Sequence, residues 1–354
     1  MEPTGDYQPK RILLTGGAGF IGSHVCRHLV NKYPDVLIIC LDVLDYCANT
    51  RNLEDIIDKP NFLFIKGSII NVEFVQFIMK THQIDTVMHF AAQSHVDRSF
   101  GNSLEFTHTN VLGTHVLLEC AKTFGIKRFI HVSTDEVYGE VLSGRAEEEK
   151  SLLCPTNPYA CTKAAAEFMC QAYIRSFNMP IIITRGNNVF GPMQFPEKVI
   201  PKFTLLLNNN KKCCIHGDGS GLRNFLHTSD VARAFDVILH KGKNHQIYNI
   251  GTDFEISVVE LTKMMIKIMN KPGKFEDWIE FVQDRAFNDS RYMINSDKLI
   301  SLGWHPTVDF ERLLRETIQW YLDHLDWWGD RDISSYLAPH PLVVAPKTSP
   351  TINQ

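Results

Sequence analysis

The stretch Arg11-Ile-Leu-Leu-Thr-Gly-Gly-Ala-Gly-Phe-Ile-Gly22 decides the fold of this chain. Its apolar first part is typical of a buried strand, and the glycines that follow are typical of a tight turn into a helix. Such a turn lets the backbone approach a pyrophosphate at a helix N-terminus, where the partial positive charge favours anions. We therefore expect a dinucleotide to contact Gly16, Gly19, Phe20, Ile21 and Gly22.

A carboxylate at the end of the next apolar run supports this interpretation. Residues 36–41 form that run, and Asp42 follows it, twenty residues beyond Gly22. An acidic side chain at this place hydrogen-bonds the ribose hydroxyls of the adenosine and repels a 2′-phosphate. The sequence therefore predicts NAD as the cofactor, in preference to NADP.

Further apolar runs alternate with helical patterns through the first half of the chain. Runs bounded by Gly, Asn or Pro occur at residues 11–15, 36–41, 62–65, 86–90, 128–132 and 180–184. Alternation of this kind is typical of parallel strands connected by helices. The predicted fold class is α/β, a doubly wound parallel sheet of the Rossmann type with a smaller mixed α/β substrate lobe.

The pattern also divides the chain into segments. Short strands at 213–216 and 247–250, helix 258–269 and helix 310–325 belong to the expected lobe, which is partly interleaved with the first domain. Beyond Asp330 the chain is rich in Pro and Ser, so we expect disorder there. The predicted divisions are an N-terminal tail (1–10), an NAD-binding domain with the catalytic residues (11–190), a predominantly substrate-binding lobe (191–330) and a disordered tail (331–354).

The composition excludes several classes of partner. The 354 residues are 44% hydrophobic and 21% charged with a formal net charge of −4, so nucleic acid and anionic membranes are not expected partners. We expect no secretory signal and no membrane span, which needs ~20 apolar residues. Nine cysteines without paired spacing predict free thiols, no metal site and a cytoplasmic location.

Two motifs carry the chemistry, Val132-Ser-Thr-Asp-Glu-Val-Tyr-Gly139 and Tyr159-Ala-Cys-Thr-Lys163. Residues four apart on a helix share a face, so we expect the Lys163 ammonium near the Tyr159 phenol, where it lowers the phenol pKa. The adjacent acids in the first motif could cap a turn, or act as an acid and a base if their environments separate their pKa values. The Tyr and Lys spacing alone also fits a solvated helix face, but the nucleotide-binding turn upstream favours catalysis.

Together these motifs resemble the extended short-chain dehydrogenase/reductase family, and within it the nucleotide-sugar 4,6-dehydratases. The similarity runs from about Arg11 to Leu325 and also includes Thr109-Asn-Val-Leu-Gly-Thr114, Arg185-Gly-Asn-Asn188, Gln194-Phe-Pro-Glu-Lys198 and Tyr248-Asn-Ile-Gly251. Similar epimerases lack both acids of the Thr-Asp-Glu triplet, and similar decarboxylases usually keep only the glutamate. An epimerase or decarboxylase would leave Asp135 without a purpose, and a non-catalytic NAD-sensing module would not need Tyr159 and Lys163.

The resemblance implies a role for each member of the site. Tyr159, supported by Lys163, takes the proton from the glucose 4-hydroxyl while C4 gives a hydride to NAD, with Thr134 at the same oxygen. Glu136 then removes the C5 proton, and Asp135 protonates the leaving C6 hydroxyl. Hydride return to C6 gives a 4-keto-6-deoxy sugar nucleotide.

The resemblance also implies contacts with a nucleotide-diphosphate sugar and assembly as a homodimer. The expected substrate-binding residues are Thr134, Asn188, Glu197, Lys198, Arg223 and Arg291. The two arginines correspond to family members that hold the diphosphate, a role that suits a fork of guanidinium donors. From the sequence alone, each arginine could instead be an ion-pair partner on the surface.

Local departures bear on the nucleotide base. Bacterial deoxythymidine-diphosphate-glucose dehydratases usually read Gly-Asp where this chain has Gly67-Ser68. The segments 185–192, 217–220 and Arg285-Ala-Phe-Asn-Asp289 instead resemble the dehydratase part of plant UDP-rhamnose synthases, which favours UDP-glucose. Thymine and uracil differ here by one methyl, worth only ~1 to 3 kcal/mol of discrimination. The sequence therefore does not decide between thymine and uracil as the nucleotide base.

Overall fold

The computed structural model describes residues 6–284, 287–307, 309–329 and 331–339. Their strands are β1 (Arg11–Thr15), β2 (Leu37–Asp42), β3 (Phe62–Lys66), β4 (Thr86–His89), β5 (Arg128–Thr134), β6 (Ile181–Gly186), β7 (Asn188–Phe190), β8 (Cys213–His216), β9 (Leu222–His227), β10 (Ile247–Ile250), β11 (Glu255–Ser257) and β12 (Ile279–Val282). Their α-helices are α1 (Phe20–Lys32), α2 (Val72–Thr81), α3 (Val96–Gly101), α4 (Ser103–Phe106), α5 (Gly113–Thr123), α6 (Pro158–Phe177), α7 (Val199–Asn208), α8 (Thr228–Lys241), α9 (Val258–Ile268), α10 (Asp297–Ile300) and α11 (Phe310–Asp323). A π-helical turn spans Thr107–Leu112, and 3-10 turns span Thr50–Leu53, Asp135–Tyr138, Phe275–Trp278 and Ser334–Leu337.

A parallel seven-stranded sheet forms the centre of the molecule, in the order β3-β2-β1-β4-β5-β6-β10. The chain winds outward in both directions from the boundary between β1 and β4. In sheets of this kind, ligands bind in the crevice at the carboxyl ends of the strands where the order reverses. The predicted doubly wound α/β fold is confirmed.

Apolar residues on both faces of the central strands hold the helices in place. On one face Leu14 packs with Val25 and Leu29 of α1 and Ile238 of α8. On the other, Leu13 and Phe129 pack with Leu117 of α5 and Cys170 of α6. Because both faces are covered, the strands read as continuous apolar runs, which is why the sequence identified them.

The part of the chain that returns to the central sheet differs from the sequence expectation. Strand β10 was expected in the substrate lobe, but Ile247 pairs with Ile183 of β6, and β10 becomes the edge of the central sheet. Helix α8 packs on α1, where Asp236 accepts a hydrogen bond from Tyr33 Oη at 2.6 Å. Residues 228–250 therefore contact the first domain, and the boundary at residue 190 does not separate the chain in space.

The remaining elements form the smaller lobe. Strands β7, β9 and β11 make one sheet, β8 pairs with β12, and helices α7, α9 and α11 cover them. Phe203, Leu261 and Leu314 lie in the shared core of these helices. The expected mixed α/β character and the packing of the helix at 310–325 on this lobe are both found.

Both described ends of the chain are docked on the protein. Residues 331–339 were expected to be disordered, but they contact the rest of the protein. The Tyr336 ring stacks on the Tyr46 ring, with 5.8 Å between the ring centroids. His216 Nε2 donates a hydrogen bond to the Pro339 carbonyl at 2.7 Å. Amino-acid composition alone does not reveal aromatic contacts of this kind. Residues 340–354 of that expected tail lie outside the described residues. In the expected N-terminal tail, Tyr7 Oη lies 2.8 Å from Thr86 Oγ1.

The nine cysteines carry free thiols, as predicted. In the part of the chain that the structure describes, no helix is both long enough and apolar enough to cross a membrane.

A buried ion pair connects β6 to α6. Arg185 Nη2 lies 2.6 Å from Glu167 Oε2, and both side chains are almost completely shielded from solvent. Arg185 Nη1 also donates to Tyr138 Oη at 2.8 Å. These hydrogen bonds compensate the desolvation of both charges, so the loss of either partner leaves the other charge buried without compensation.

We predict that Glu167→Gln lowers the free energy of unfolding by about 3 to 5 kcal/mol, the usual cost of breaking a buried pair. The matched control is Glu316→Gln, because Glu316 pairs with Arg312 on α11 where both side chains are half exposed. That substitution should cost less than about 1 kcal/mol. Urea unfolding followed by circular dichroism measures both, and similar costs for the two variants would contradict the prediction.

Candidate active site

The glycine-rich turn after β1 has no room for side chains at two of its positions. Gly16 has a φ of +73°, and a Cβ there would lie 2.5 Å from the Ala91 nitrogen. A Cβ on Gly22 would lie 2.2 Å from the Gly16 carbonyl oxygen. Because any side chain would collide with the backbone, both positions require glycine. The close contacts also place the start of α1 near the ends of β1 and β4.

A cavity of about 600 Å³ opens above this turn. It runs past the ends of the central strands to the face of α6. All the residues predicted to bind the cofactor line it, namely Gly16, Gly19, Phe20, Ile21, Gly22, Asp42, Tyr159 and Lys163. Gly67 and Ser68, noted as a departure from the bacterial pattern, line it too.

The Asp42 carboxylate is held in a fixed orientation at the end of β2. Its Oδ2 accepts the Ala18 N–H at 2.9 Å, and its Oδ1 accepts the Leu44 N–H at 2.8 Å. Burial raises the pKa of Asp42, and these two backbone hydrogen bonds oppose that rise. Each oxygen keeps a further lone pair, which suits the two hydroxyls of a ribose.

Helix α6 presents Tyr159 and Lys163 to the same cavity. The expected lowering of the Tyr159 pKa is not found, and Lys163 Nζ donates to the Val132 carbonyl at 2.6 Å. Burial raises the pKa of Tyr159, the charge of Glu136 raises it further, and a hydrogen bond with Thr134 opposes both. Burial lowers the pKa of Lys163 itself to about 8.

Asp135 follows β5 and is almost completely buried. Its Oδ2 accepts a hydrogen bond from Asn187 Nδ2 at 2.7 Å, and its Oδ1 lies 3.2 Å from Thr134 Oγ1. Burial raises the pKa of Asp135 to about 7, and the neighbouring charge of Glu136 contributes to the rise. The hydrogen bonds from Asn187 and Thr134 and the charge of Arg223 act in the opposite direction.

Glu136 occupies a different environment, although it is the next residue. Its Oε2 accepts a hydrogen bond from Asn157 Nδ2 at 2.9 Å. It lines a second cavity of about 360 Å³, between the central sheet and the lobe. Three residues earlier in the chain, Ser133 lines the larger cavity. The Thr134 and Asp135 side chains between them are buried and line neither cavity.

Four of the residues predicted to bind substrate line the second cavity, namely Asn188, Glu197, Lys198 and Arg223. Arg291 is not among the lining residues. It makes two hydrogen bonds of 2.7 Å with the Glu255 carboxylate, so the diphosphate role implied for it stays a prediction. Arg223 Nη2 donates to Asn288 Oδ1 at 2.7 Å beside the cavity.

Glu197 lines both cavities and marks their junction. Tyr46 Oη lies 3.0 Å from each of its carboxylate oxygens, and His95 Nδ1 lies 3.5 Å from Oε2. Burial raises the pKa of Glu197 to about 7, while the charge of Lys198 opposes the rise. Glu197 therefore forms part of the wall of both cavities.

Sequence reasoning missed the residues that hold the two acids. Asn157 precedes Pro158, and its Oδ1 accepts the Ala160 N–H at 2.9 Å, so the helix-start signal Asn-Pro could have drawn attention to it. Asn187 is adjacent to the predicted Asn188, but nothing local indicates that it contacts Asp135. Among the described residues, no group of three or more His, Cys, Asp or Glu side chains is arranged to hold a metal ion.

The glycine-rich turn, the fixed Asp42 and the Tyr159 and Lys163 pair define a dinucleotide site of the extended short-chain dehydrogenase/reductase class. The chain belongs to the family described as GDP-mannose 4,6 dehydratase, whose model matches residues 13–317. The resemblance to the nucleotide-sugar 4,6-dehydratases is thereby confirmed.

Individual relatives are similar over nearly the whole chain. A trifunctional UDP-glucose 4,6-dehydratase/3,5-epimerase/reductase of Arabidopsis thaliana is 52% identical over 338 residues, covering 95% of this chain and 50% of the relative. This chain thus spans about half the length of the plant relatives. The human dTDP-D-glucose 4,6-dehydratase is 49% identical over 336 residues, covering 94% of this chain and 95% of the relative. The dTDP-glucose 4,6-dehydratase of Streptomyces venezuelae, solved with NAD bound, has a TM-score of 0.86 at 39% identity, covering 90% of this chain and 99% of that one.

The raised pKa of Asp135 predicts a pH-dependent cost to stability. In the folded protein this carboxyl loses its proton near pH 7, whereas in the unfolded chain it does so near pH 4. Folding is therefore penalised as pH rises between these values, by about 1.4 kcal/mol per pH unit at most, and the penalty is constant above them. We predict that Asp135→Asn unfolds at a higher temperature than the parent at pH 8 and that this gain disappears near pH 4.

Thermal unfolding across that pH range measures the difference. The exposed Asp58 provides the matched control, since Asp58→Asn should shift the melting temperature little and without this pH trend. A difference between Asp135→Asn and the parent that does not change with pH would show that the Asp135 carboxyl is not held in its neutral form.

Proposed function

We propose that the protein is an NAD-dependent nucleotide-diphosphate-glucose 4,6-dehydratase, a hydro-lyase that forms a 4-keto-6-deoxy-glucose nucleotide. The observation that carries the proposal is the pair of adjacent carboxyls in unlike environments, beside Tyr159 and between two cavities. An epimerase or decarboxylase would have no use for Asp135 with its raised pKa. The names of the relatives, two of them dTDP-glucose dehydratases and one a UDP-glucose dehydratase, support the same reaction.

The larger cavity fits NAD. The absence of a Cβ at Gly16 and Gly22 leaves the backbone accessible to a pyrophosphate, and the Asp42 carboxylate is oriented for ribose hydroxyls. Bound there, NAD would accept a hydride from C4 of the sugar and return it to C6. Tyr159 and Lys163 line the end of the cavity that reaches α6.

The first chemical task of the chain is to take the proton from the 4-hydroxyl. Tyr159 is the base, and Thr134 shares a hydrogen bond with its phenol. With a pKa of about 8, Lys163 still carries a positive charge at neutral pH, which stabilises the phenolate as it forms. The raised pKa of Tyr159 means that this phenol is protonated at rest and needs that stabilisation.

The second task is the loss of water. The new C4 ketone acidifies the C5 proton, which Glu136 removes, and Asp135 donates its proton to the departing C6 hydroxyl. A carboxyl with a pKa of about 7 is substantially protonated at neutral pH, as an acid must be. Asn157 holds Glu136 at the wall of the second cavity, where the sugar would lie.

The second cavity would hold the nucleotide-diphosphate sugar. Arg223 and Lys198 supply positive charge for the diphosphate, and Asn188 and Glu197 supply polar groups for the sugar. Arg291 could join them only by leaving Glu255. UDP-glucose is slightly favoured by the local motifs, and dTDP-glucose is the alternative.

We predict that the purified protein forms a product lighter by one water from UDP-glucose, dTDP-glucose or both, as measured by mass spectrometry. Glu136→Gln and Tyr159→Phe should each lower kcat by about 10²- to 10⁴-fold, the usual contribution of a general acid or base. The ratio of kcat/KM values identifies the preferred base. Tyr33→Phe is the control, because Tyr33 bonds to Asp236 away from both cavities. Bound NAD without water loss from either nucleotide would exclude the dehydratase.

We also propose a homodimer formed through the outer surfaces of α4, α6 and the π-helical turn. Leu104, Leu112 and Phe168 are 74%, 43% and 57% exposed in the single chain. Exposed apolar side chains on adjacent helices are typical of a surface that a second copy covers. We further propose a cytoplasmic location, which suits nine free thiols.

We predict that Phe168→Asp converts the dimer into a monomer, because a charge in the middle of an apolar contact would be desolvated. Light scattering coupled to size-exclusion chromatography measures the mass. Phe77→Asp is the matched control, since Phe77 is 60% exposed on α2. A wild-type protein that elutes as a monomer, or an unchanged mass for Phe168→Asp, would refute this interface.

A further inference from the structure

Asn187 connects three parts of the chain at the buried side of Asp135. It lies between β6 and β7, and its backbone N–H donates to the Ile250 carbonyl at 3.1 Å. Its Nδ2 donates to Asp135 Oδ2 at 2.7 Å, and its Oδ1 accepts the Thr252 N–H at 3.1 Å. The side chain is buried, so these contacts are protected from competition with water.

The amide of Asn187 has only one workable orientation. Rotation by half a turn would direct its NH₂ group at the Thr252 N–H, so that a hydrogen bond would be replaced by a repulsive contact between two donors. The space is also tight, because a Cβ on Gly251 would lie 2.6 Å from Asn187 Oδ1. A longer or bulkier side chain could not satisfy both neighbours.

We infer that Asn187 is a positioning residue of the water-loss step, which fixes Asp135 so that Oδ1 carries the proton given to the leaving hydroxyl. The inference rests on the proposed dehydratase function. A donor already occupies Oδ2, which leaves that oxygen as an acceptor. Thr134 Oγ1 donates to Oδ1 at 3.2 Å, but a hydroxyl, unlike the Asn187 NH₂ group, can also accept a hydrogen bond, so Oδ1 is the oxygen that can carry the proton. The same hydroxyl also hydrogen-bonds with Tyr159.

The step balances with the groups present. The C5 proton goes to the Glu136 carboxylate, and the electron pair of that C–H bond forms the C5=C6 double bond. The C6–O bond breaks, its electron pair stays on oxygen, and the Asp135 Oδ1 proton joins that oxygen to release water. Asp135 becomes a carboxylate, whose Oδ2 is stabilised by the hydrogen bond from Asn187.

This arrangement has a consequence for pH dependence. The groups that act on the Asp135 charge are Glu136, which favours its protonated form, and Arg223, Thr134 and Asn187, which favour the carboxylate. Tyr159 also faces it, as a neutral phenol at rest. Because Asp135 must be protonated to act, activity falls as pH rises through its pKa. Removal of the Asn187 donor therefore moves this alkaline limb to higher pH.

The test uses Asn187→Ala and the isosteric Asn187→Asp, each with the natural nucleotide-glucose and with its 6-chloro-6-deoxy analogue. Chloride leaves without a proton, so the analogue does not need Asp135. For the natural substrate we expect kcat to fall about 10- to 100-fold in both variants with KM changed less than about twofold. For the chloro analogue we expect kcat to stay within about threefold of wild type. For the natural substrate we expect the alkaline limb of the pH profile to move to higher pH.

Asn224→Ala is the matched control. Asn224 Nδ2 donates to the Thr252 and Phe254 carbonyls, so it supports the same segment as Asn187 without contacting Asp135. This control should slow both substrates by the same factor and leave the pH profile in place.

The inference is overturned if the Asn187 variants slow both substrates equally, or turn over the natural substrate at the wild-type rate. Asn187→Asp keeps the volume and the acceptor for Thr252, so it remains informative if Asn187→Ala does not fold. A wild-type protein that is inactive on every nucleotide-glucose would instead refute the proposed function, and this inference would fall with it.

Discussion

The 2.6 Å hydrogen bond from Lys163 Nζ to the Val132 carbonyl fixes the geometry on which the rest of the site depends. It ties α6, the helix that carries Tyr159, to the end of β5, the strand that leads into both acids. A buried ammonium is costly unless it is hydrogen-bonded, so this contact strongly restricts how α6 can lie on the sheet. Burial also lowers the pKa of Lys163 to about 8, so this side chain can gain or lose its charge near neutral pH.

Two asparagines then separate the adjacent acids. Asn157 belongs to the start of α6 and holds Glu136, whereas Asn187 belongs to the connection between β6 and β7 and holds Asp135. Burial raises the pKa of Asp135, and the charge of the neighbouring Glu136 adds to that rise. Because each has its own donor, one is held at a cavity wall and the other is held in a buried position where protonation is favoured.

Much of this site was predictable from sequence because its signals are local. The turn at Gly16 to Gly22 and the position of Asp42 follow from contiguous patterns, and these residues line one cavity, the larger of the two. Signals that depend on distant partners were not accessible. Glu255 of β11 pairs with Arg291, which is distant in sequence. Burial by remote residues raises the pKa of Tyr159, whereas proximity to Lys163 predicted a lower pKa.

Strand β10, which the sequence analysis placed in the wrong part of the molecule, explains why the Asp135 carboxyl has a fixed orientation. β10 lies beside β6, with Ile250 opposite Gly186, so the chain that leaves β10 passes directly over Asn187. That passage supplies the Ile250 carbonyl and the Thr252 N–H, the two groups that hold Asn187. A β10 confined to the lobe would leave the Asn187 amide able to rotate and Asp135 without a fixed partner. The return of the chain to the central sheet, which no local pattern reveals, is therefore a structural requirement of the proposed catalytic carboxyl pair.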